Sequence, residues 1–132
     1  MTKQYLTGAT HLPNVLDKQA INISVDDQPI QLLIYDTNCT PQYDILRSRS
    51  YKQCDIFILC YDMTSTQSLH HIITKWAHEV RYHIHNVPIL IVGTKYDLRQ
   101  PHISQPQIDH CVRHVYASKS VVCSSITQYG MF

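Results

Sequence analysis

Glycine is nearly missing from this chain: its 132 residues hold three, Gly8, Gly93 and Gly130. A loop that wraps backbone N–H groups around a phosphate needs closely spaced glycines, and no G-x-x-x-x-G-K-[ST] run occurs. A strong charge of one sign is missing too, since the net charge is +1 with no Lys/Arg cluster. Nucleic-acid binding by phosphate neutralisation is therefore not expected. No apolar run is long enough to cross a bilayer, and Met1-Thr2-Lys3-Gln4 leads into no signal-type segment. A cytoplasmic chain without a membrane anchor is the expectation. The five cysteines, Cys39, Cys54, Cys60, Cys111 and Cys123, are odd in number and form no C-x-x-C. They read as reduced thiols rather than a disulfide framework. Nine histidines are present, but no Cys/His pair has finger spacing, so no structural zinc is expected.

What is present fits one globular domain over residues 1–132, with 44% hydrophobic and 16% charged residues. Three apolar runs stop abruptly at polar residues. Leu32-Leu33-Ile34-Tyr35 ends at Asp36-Thr37, Ile56 to Tyr61 ends at Asp62, and Ile89 to Val92 leads into Gly93-Thr94-Lys95-Tyr96-Asp97. Short apolar runs bounded by polar signals read as strands buried on both faces. Such strands belong to parallel sheets covered by helices. Ligands of open α/β sheets sit outside the carboxyl ends of the strands. Asp36, Thr37, Thr94, Lys95 and Asp97 are thus expected to face one crevice.

The remaining segments read in order. Thr7 to Asn14 is a loop by its Gly, Pro and Asn. Ile21 to Val25 alternates, and Asp26 to Pro29 is turn chemistry, so this strand and Ile30 to Tyr35 make an antiparallel hairpin. One helical turn is expected around Tyr43 to Leu46. Ser65 to Ser68 offers helix caps, and Leu69, Ile72, Ile73, Trp76, Ala77 and Val80 form one helical face. Ile108 to Tyr116 is a second helix, Ser120 to Cys123 the last strand, and Thr127 to Phe132 the start of a final helix. Strands alternating with helices mean an α/β domain with a mostly parallel sheet.

Three stretches, taken together, resemble a known family. They are Asp36-Thr37-Asn38-Cys39-Thr40, Thr94-Lys95-Tyr96-Asp97-Leu98-Arg99 and Cys123-Ser124-Ser125-Ile126-Thr127-Gln128-Tyr129-Gly130. They look like the DTAGQ, TKLDLR and CSALTQRG motifs of the Rho/Rac branch of Ras-type small GTPases. Asp17, Val25-Asp26, Tyr43-Asp44, Leu46-Arg47, Ser50-Tyr51, Asp55, Lys75-Trp76, Glu79-Val80-Arg81 and Pro88 also fall where a Rac-like chain has them. The resemblance implies a P-loop NTPase (Ras-like) fold truncated at both ends. It implies GTP/GDP and Mg2+ as cofactors, and effector or regulator proteins as partners. Asp97 would accept hydrogen bonds from guanine, because a carboxylate offers two acceptors to two adjacent donors that adenine lacks. Lys95 would cover the base, Thr94, Ser124 and Ser125 would complete its pocket, and Asp36 would reach the metal.

The departures from the family pattern are as specific. The first strand, phosphate loop, first helix and closing helix have no counterpart in the sequence. Thr7 replaces an aromatic, Asn14 the switch Thr, Cys39 a glycine, and Thr40 the Gln that orients the attacking water. The surface helix of Rho proteins is lacking between Arg99 and Ile103. No catalytic residue is therefore assigned, and binding is expected to be weak and hydrolysis deficient. The alternatives are a nucleotide-free pseudo-GTPase interaction module or a truncated non-functional product. In the resembled fold the missing strand would separate Ile30–Tyr35 from Ile56–Tyr61. Buried unpaired backbone groups cost about 1–3 kcal/mol each. The two strands are therefore expected to pair directly, in a chain of low stability or prone to self-association.

Overall fold

The computed structural model describes residues 16–37, 39–98 and 103–131. The loop expected at 7–14, the substitutions at Thr7 and Asn14, and Asn38 lie outside the described residues. Strand β1 (Leu16–Val25) pairs antiparallel with β2 (Gln28–Thr37), from Leu16 opposite Thr37 to Val25 opposite Gln28. Asp26 and Asp27 close the hairpin at φ of 50° and 61°, the left-handed pair that a two-residue turn needs. A 3-10 turn (Pro41–Tyr43) leads into α1 (Asp44–Ser50), so the expected single turn is a longer helix. Then come β3 (Phe57–Asp62), α2 (Thr66–His71), a π-helical segment (Ile72–Trp76) and α3 (Ala77–His83). The chain continues through β4 (Ile89–Thr94), α4 (Gln105–Val115) and β5 (Lys119–Val122). This is the α/β class expected, a truncated Ras-like fold with a parallel sheet and one hairpin.

Strands β3, β4 and β5 form a parallel sheet in that order. Phe57 lies opposite Ile89, and Leu90 opposite Lys119. The central strand is covered on both sides: Ile89, Ile91, Val92 and Thr94 are buried. Leu69, Ile72, Ala77 and Val80 cover one part of the core, and Ile108, Cys111 and Val115 another. The spacing of Leu69, Ile72, Ala77 and Val80, and of Ile108 and Val115, predicted their helices; Cys111 joins the second face. The cap at Ser65 is as expected, its side chain accepting from Ser68 N. The π segment inside the predicted helix was not. Helix α4 begins three residues earlier than predicted, because Ser104 and Gln107 form a capping box.

Charged residues fix α1 to this core. The Arg47 guanidinium is buried and pairs with Glu79 at 2.8 Å and with Asp44. Tyr51 donates its hydroxyl to Glu79, and the Arg47 guanidinium lies 5.1 Å from the Trp76 ring centre. Burial works to raise the Glu79 carboxyl, but the hydrogen bonds from Arg47 and Tyr51 outweigh it and hold it below its usual range.

Three expectations are corrected. Neither Leu32 to Tyr35 nor Ile56 to Tyr61 is buried on both faces: Leu32 is 37% and Leu33 43% exposed with Ile34 and Tyr35 half-buried, and Ile56 is 43% and Ile58 47% exposed. Among the described residues β2 does not pair with β3, and the hairpin is a separate sheet. The costly-gap reasoning assumed a buried gap. An exposed edge bonds to water instead, so its backbone groups need no strand partner. The hairpin touches the remainder through contacts such as the Tyr35 hydroxyl donating to Gln53 at 3.3 Å. Third, residues 127–131 form turns and not a helix.

Two substitutions test the packing of β3 on β4. A Cβ added at Gly93 would lie 2.6 Å from Met63 Sδ and 2.8 Å from the Tyr61 hydroxyl, so Gly93→Ala is expected to destabilise by about 1–3 kcal/mol in urea unfolding. That hydroxyl is buried without a partner, so Tyr61→Phe is expected to stabilise by about 1 kcal/mol. A second prediction concerns pH. Glu79 titrates lower folded than unfolded, so its contribution is present above the unfolded value of 4.5 and is lost as pH falls below it. The urea midpoint should drop between pH 5 and about pH 3, and Glu79→Gln should flatten that drop.

Candidate functional site

Because β3, β4 and β5 are parallel and in register, their carboxyl ends lie side by side. Asp62 stands opposite Thr94 across the β3–β4 pair. Thr94 is buried, and its hydroxyl donates to the Tyr61 carbonyl at 3.0 Å. Its role in the structure is to tie the two strands together. Past it, Lys95 takes φ of 61°, an uncommon conformation for a residue with a Cβ. The turn is held by the Leu98 amide donating to the Lys95 carbonyl at 3.2 Å.

The loop after β5 packs against this turn. The Tyr96 amide donates to the Cys123 carbonyl at 3.2 Å, and the Cys123 amide to the Gly93 carbonyl at 2.8 Å. Ser124 is fully buried, donates its hydroxyl to Asp97 Oδ1 at 2.5 Å, and accepts from the Thr127 amide at 3.1 Å. The Tyr96 and Tyr129 rings stack with centres 5.0 Å apart. One carboxylate oxygen of Asp97 is thus anchored to the neighbouring loop. Ser125 is exposed on the rim, its carbonyl accepting from Gln128 Nε2 at 2.8 Å.

Lys95 does not stand alone. Its ammonium bonds Asp62 Oδ2 at 2.7 Å. The other oxygen, Asp62 Oδ1, accepts from the Thr64 amide at 2.8 Å and the Thr64 hydroxyl at 2.7 Å. Desolvation would raise the Asp62 carboxyl, but these bonds overcome it and hold it at about 2. Asp36 lies on the hairpin side. Burial pushes the Cys60 thiol up to about 12, and the charges of Cys123, Cys39 and Asp36 add to that push. Asp36 is therefore within electrostatic reach of β3.

Of the residues singled out in the sequence, Lys95, Asp97 and Ser124 come together, with Thr94 beneath them and Ser125 at the edge. Asp36 lies on hairpin strand β2, outside the parallel sheet that carries the others. Asp62, Tyr96 and Tyr129 were missed as parts of the site. Asp62 was legible in principle, since it ends an apolar run just as Asp36 does. Among the described residues no group of three His, Cys, Asp or Glu side chains could hold a metal ion. Asp36 offers one hard oxygen donor, so the protein alone does not make a Mg2+ cage; a substrate phosphate would have to complete it. A groove of about 560 Å³ lies elsewhere, between α2 and α4, lined by Leu69, His70, Ile73, Pro106 and His110.

The family model described as Ras family matches residues 3–130. The chain belongs to the Ras family. Its Asp97–Ser124 corner and Lys95 turn are therefore read as parts of a small GTPase-like domain, a family that binds GTP or GDP with Mg2+ and works with regulators and effectors. In this Ras-family chain no helix among the described residues is long and apolar enough to cross a membrane.

Ser124→Ala removes one buried hydroxyl that serves both Asp97 and the Thr127 amide. Stability is expected to fall by about 1–3 kcal/mol, read as a lower urea midpoint. Ser125→Ala, on the exposed rim, should stay within about 0.5 kcal/mol of the parent.

Proposed function

We propose that this Ras-family chain is a Rho-like signalling protein that binds the guanine base weakly and does not hydrolyse GTP. The observation that supports it best is the anchored Asp97. Ser124 fixes Oδ1 and leaves Asp97 with further acceptor capacity at a strand end, beside the Lys95 stem. Two adjacent N–H donors, as on guanine, match a carboxylate; adenine does not offer them. In this reading Lys95 covers the base, Ser124 positions Asp97, and Thr94 and Ser125 frame the pocket. Asp36 would meet Mg2+ when a phosphate brings it. Hydrolysis fails because positioning and charge stabilisation are nearly all of phosphoryl-transfer catalysis. The chain shows no phosphate-loop motif, and Thr40 is too short to orient a water. In this reading the site acts in the cytoplasm, in one domain spanning residues 1–132.

A second reading is a nucleotide-free interaction module. Its support is α1, where Ile45 is 70% and Leu46 46% exposed while Arg47 beside them is fixed to Glu79. A rigid helix that shows apolar side chains suits an effector or regulator protein.

Calorimetry separates the two. GDP and GTP are expected to bind weakly and about equally, ADP not at all, and Asp97→Ala to abolish the binding. No phosphate release is expected from GTP. Equal binding of ADP, or turnover that survives purification and vanishes in Asp36→Ala, would contradict the proposal.

A further inference from the structure

Helix α4 carries a run, His110-Cys111-Val112-Arg113-His114, that the candidate site does not use. Its two histidines are four residues apart, so they stand one turn above each other on one face of the helix. Cys111 and Val115 turn into the core, while His110 and His114 are exposed. The two rings lie together, with centres 5.8 Å apart and planes tilted by 39°. Neither ring makes a hydrogen bond among the described residues. Asp109, the neighbouring carboxylate, is engaged by Gln105 Nε2 at 2.8 Å.

An imidazole nitrogen holds Zn2+ at about 2.0–2.1 Å, and two imidazoles on a tetrahedral ion then have ring centres about 5 Å apart. The 5.8 Å separation reaches that value by side-chain rotation of less than about 1 Å. The backbone beneath the rings is fixed. The capping box of Ser104 and Gln107 holds the start of α4, and the Ala117 amide donates to the Val112 carbonyl at 3.0 Å just past its end. Both rings therefore project from one rigid turn, and little order is lost when they close on an ion. His110 also lines the groove between α2 and α4, to which α2 contributes His70.

We propose that His110 and His114 form a bidentate site for a divalent transition metal such as Zn2+. Imidazole suits Zn2+, Ni2+ and Cu2+, whereas Mg2+ takes oxygen ligands. The site is thus separate, in place and in chemistry, from any Mg2+ that accompanies a nucleotide. No third His, Cys, Asp or Glu completes it among the described residues. Two tetrahedral positions therefore stay open to water, or to a donor group of a ligand in the groove.

The test is a ZnCl2 titration of the full reduced chain in excess Mg2+, followed through the histidine ring signals by NMR. The His110 and His114 rings are expected to shift together on one saturating curve. Losing one of two donors on a shared rigid turn removes the chelate advantage, so His110→Ala and His114→Ala should each weaken Zn2+ about tenfold or more. Both positions are exposed, so both variants should keep the parent's urea midpoint. His70→Ala should leave the Zn2+ affinity unchanged. Zn2+ collecting at the cysteines with both rings unmoved, or a shift of one ring alone, would overturn the proposal. So would an unchanged affinity in either folded variant, a comparable loss in His70→Ala, or displacement of Zn2+ by Mg2+. None of these outcomes bears on the guanine reading.

Discussion

Parallel pairing of β3, β4 and β5 in one register is the constraint on which the site depends. Phe57 opposite Ile89 and Leu90 opposite Lys119 bring three strand ends to one edge. Asp62, the Lys95 turn and the loop carrying Ser124 meet there because the strands end there. The register in turn rests on burial of the central strand. Ile89 and Ile91 have no exposed surface, and a one-residue slip would move their side chains to the opposite faces. Gly93 permits the close approach of Tyr61 and Met63 at the last step before the turn. Packing, pairing and chemistry are thus coupled along six residues of β4.

The hairpin obeys a different balance. Its ten-residue strands are paired with each other, and much of their apolar surface faces water: Ile23, Val25, Ile30, Leu32 and Leu33 are all exposed. Its backbone hydrogen bonds do not need the parallel sheet, which is why β2 stands apart from β3. Local opening should therefore be easiest in the hairpin and hardest in β4. Asp36 sits on the less constrained of the two sheets, whereas Asp97 and Asp62 sit on the more constrained one. The part of the site best suited to a base is rigid; the part that would serve a phosphate and its metal is not.

The sequence made β4 legible because its residues are buried on both faces, as an unbroken apolar run implies. The same pattern misled at Leu32 to Tyr35, since an apolar run records what a strand was suited to touch and not whether its neighbours are present. The helical face from Leu69 to Val80 was legible from spacing, but the π segment within it was not, because one extra residue per turn hardly disturbs so short a pattern. Asp44, Arg47, Tyr51 and Glu79, positions recognised only by resemblance, turn out to form one partly buried polar network around Arg47, with Trp76 of the apolar helical face beneath the guanidinium. At the site, Lys95, Asp97 and Ser124 were found by motif. Asp62 was passed over because its partner is 33 residues away and depends on strand register. The Tyr96–Tyr129 stack was missed for the same reason.

The central claim is that guanine is read at the ends of β4 and β5 and nowhere on the hairpin. Backbone amide chemical-shift mapping during a guanosine titration tests it most directly. Saturating shifts are expected at Lys95, Tyr96, Asp97 and Leu98 and from Ser124 to Tyr129, with residues 28–37 unmoved. Shifts of equal size along β2, or shifts confined to the groove between α2 and α4, would contradict the account.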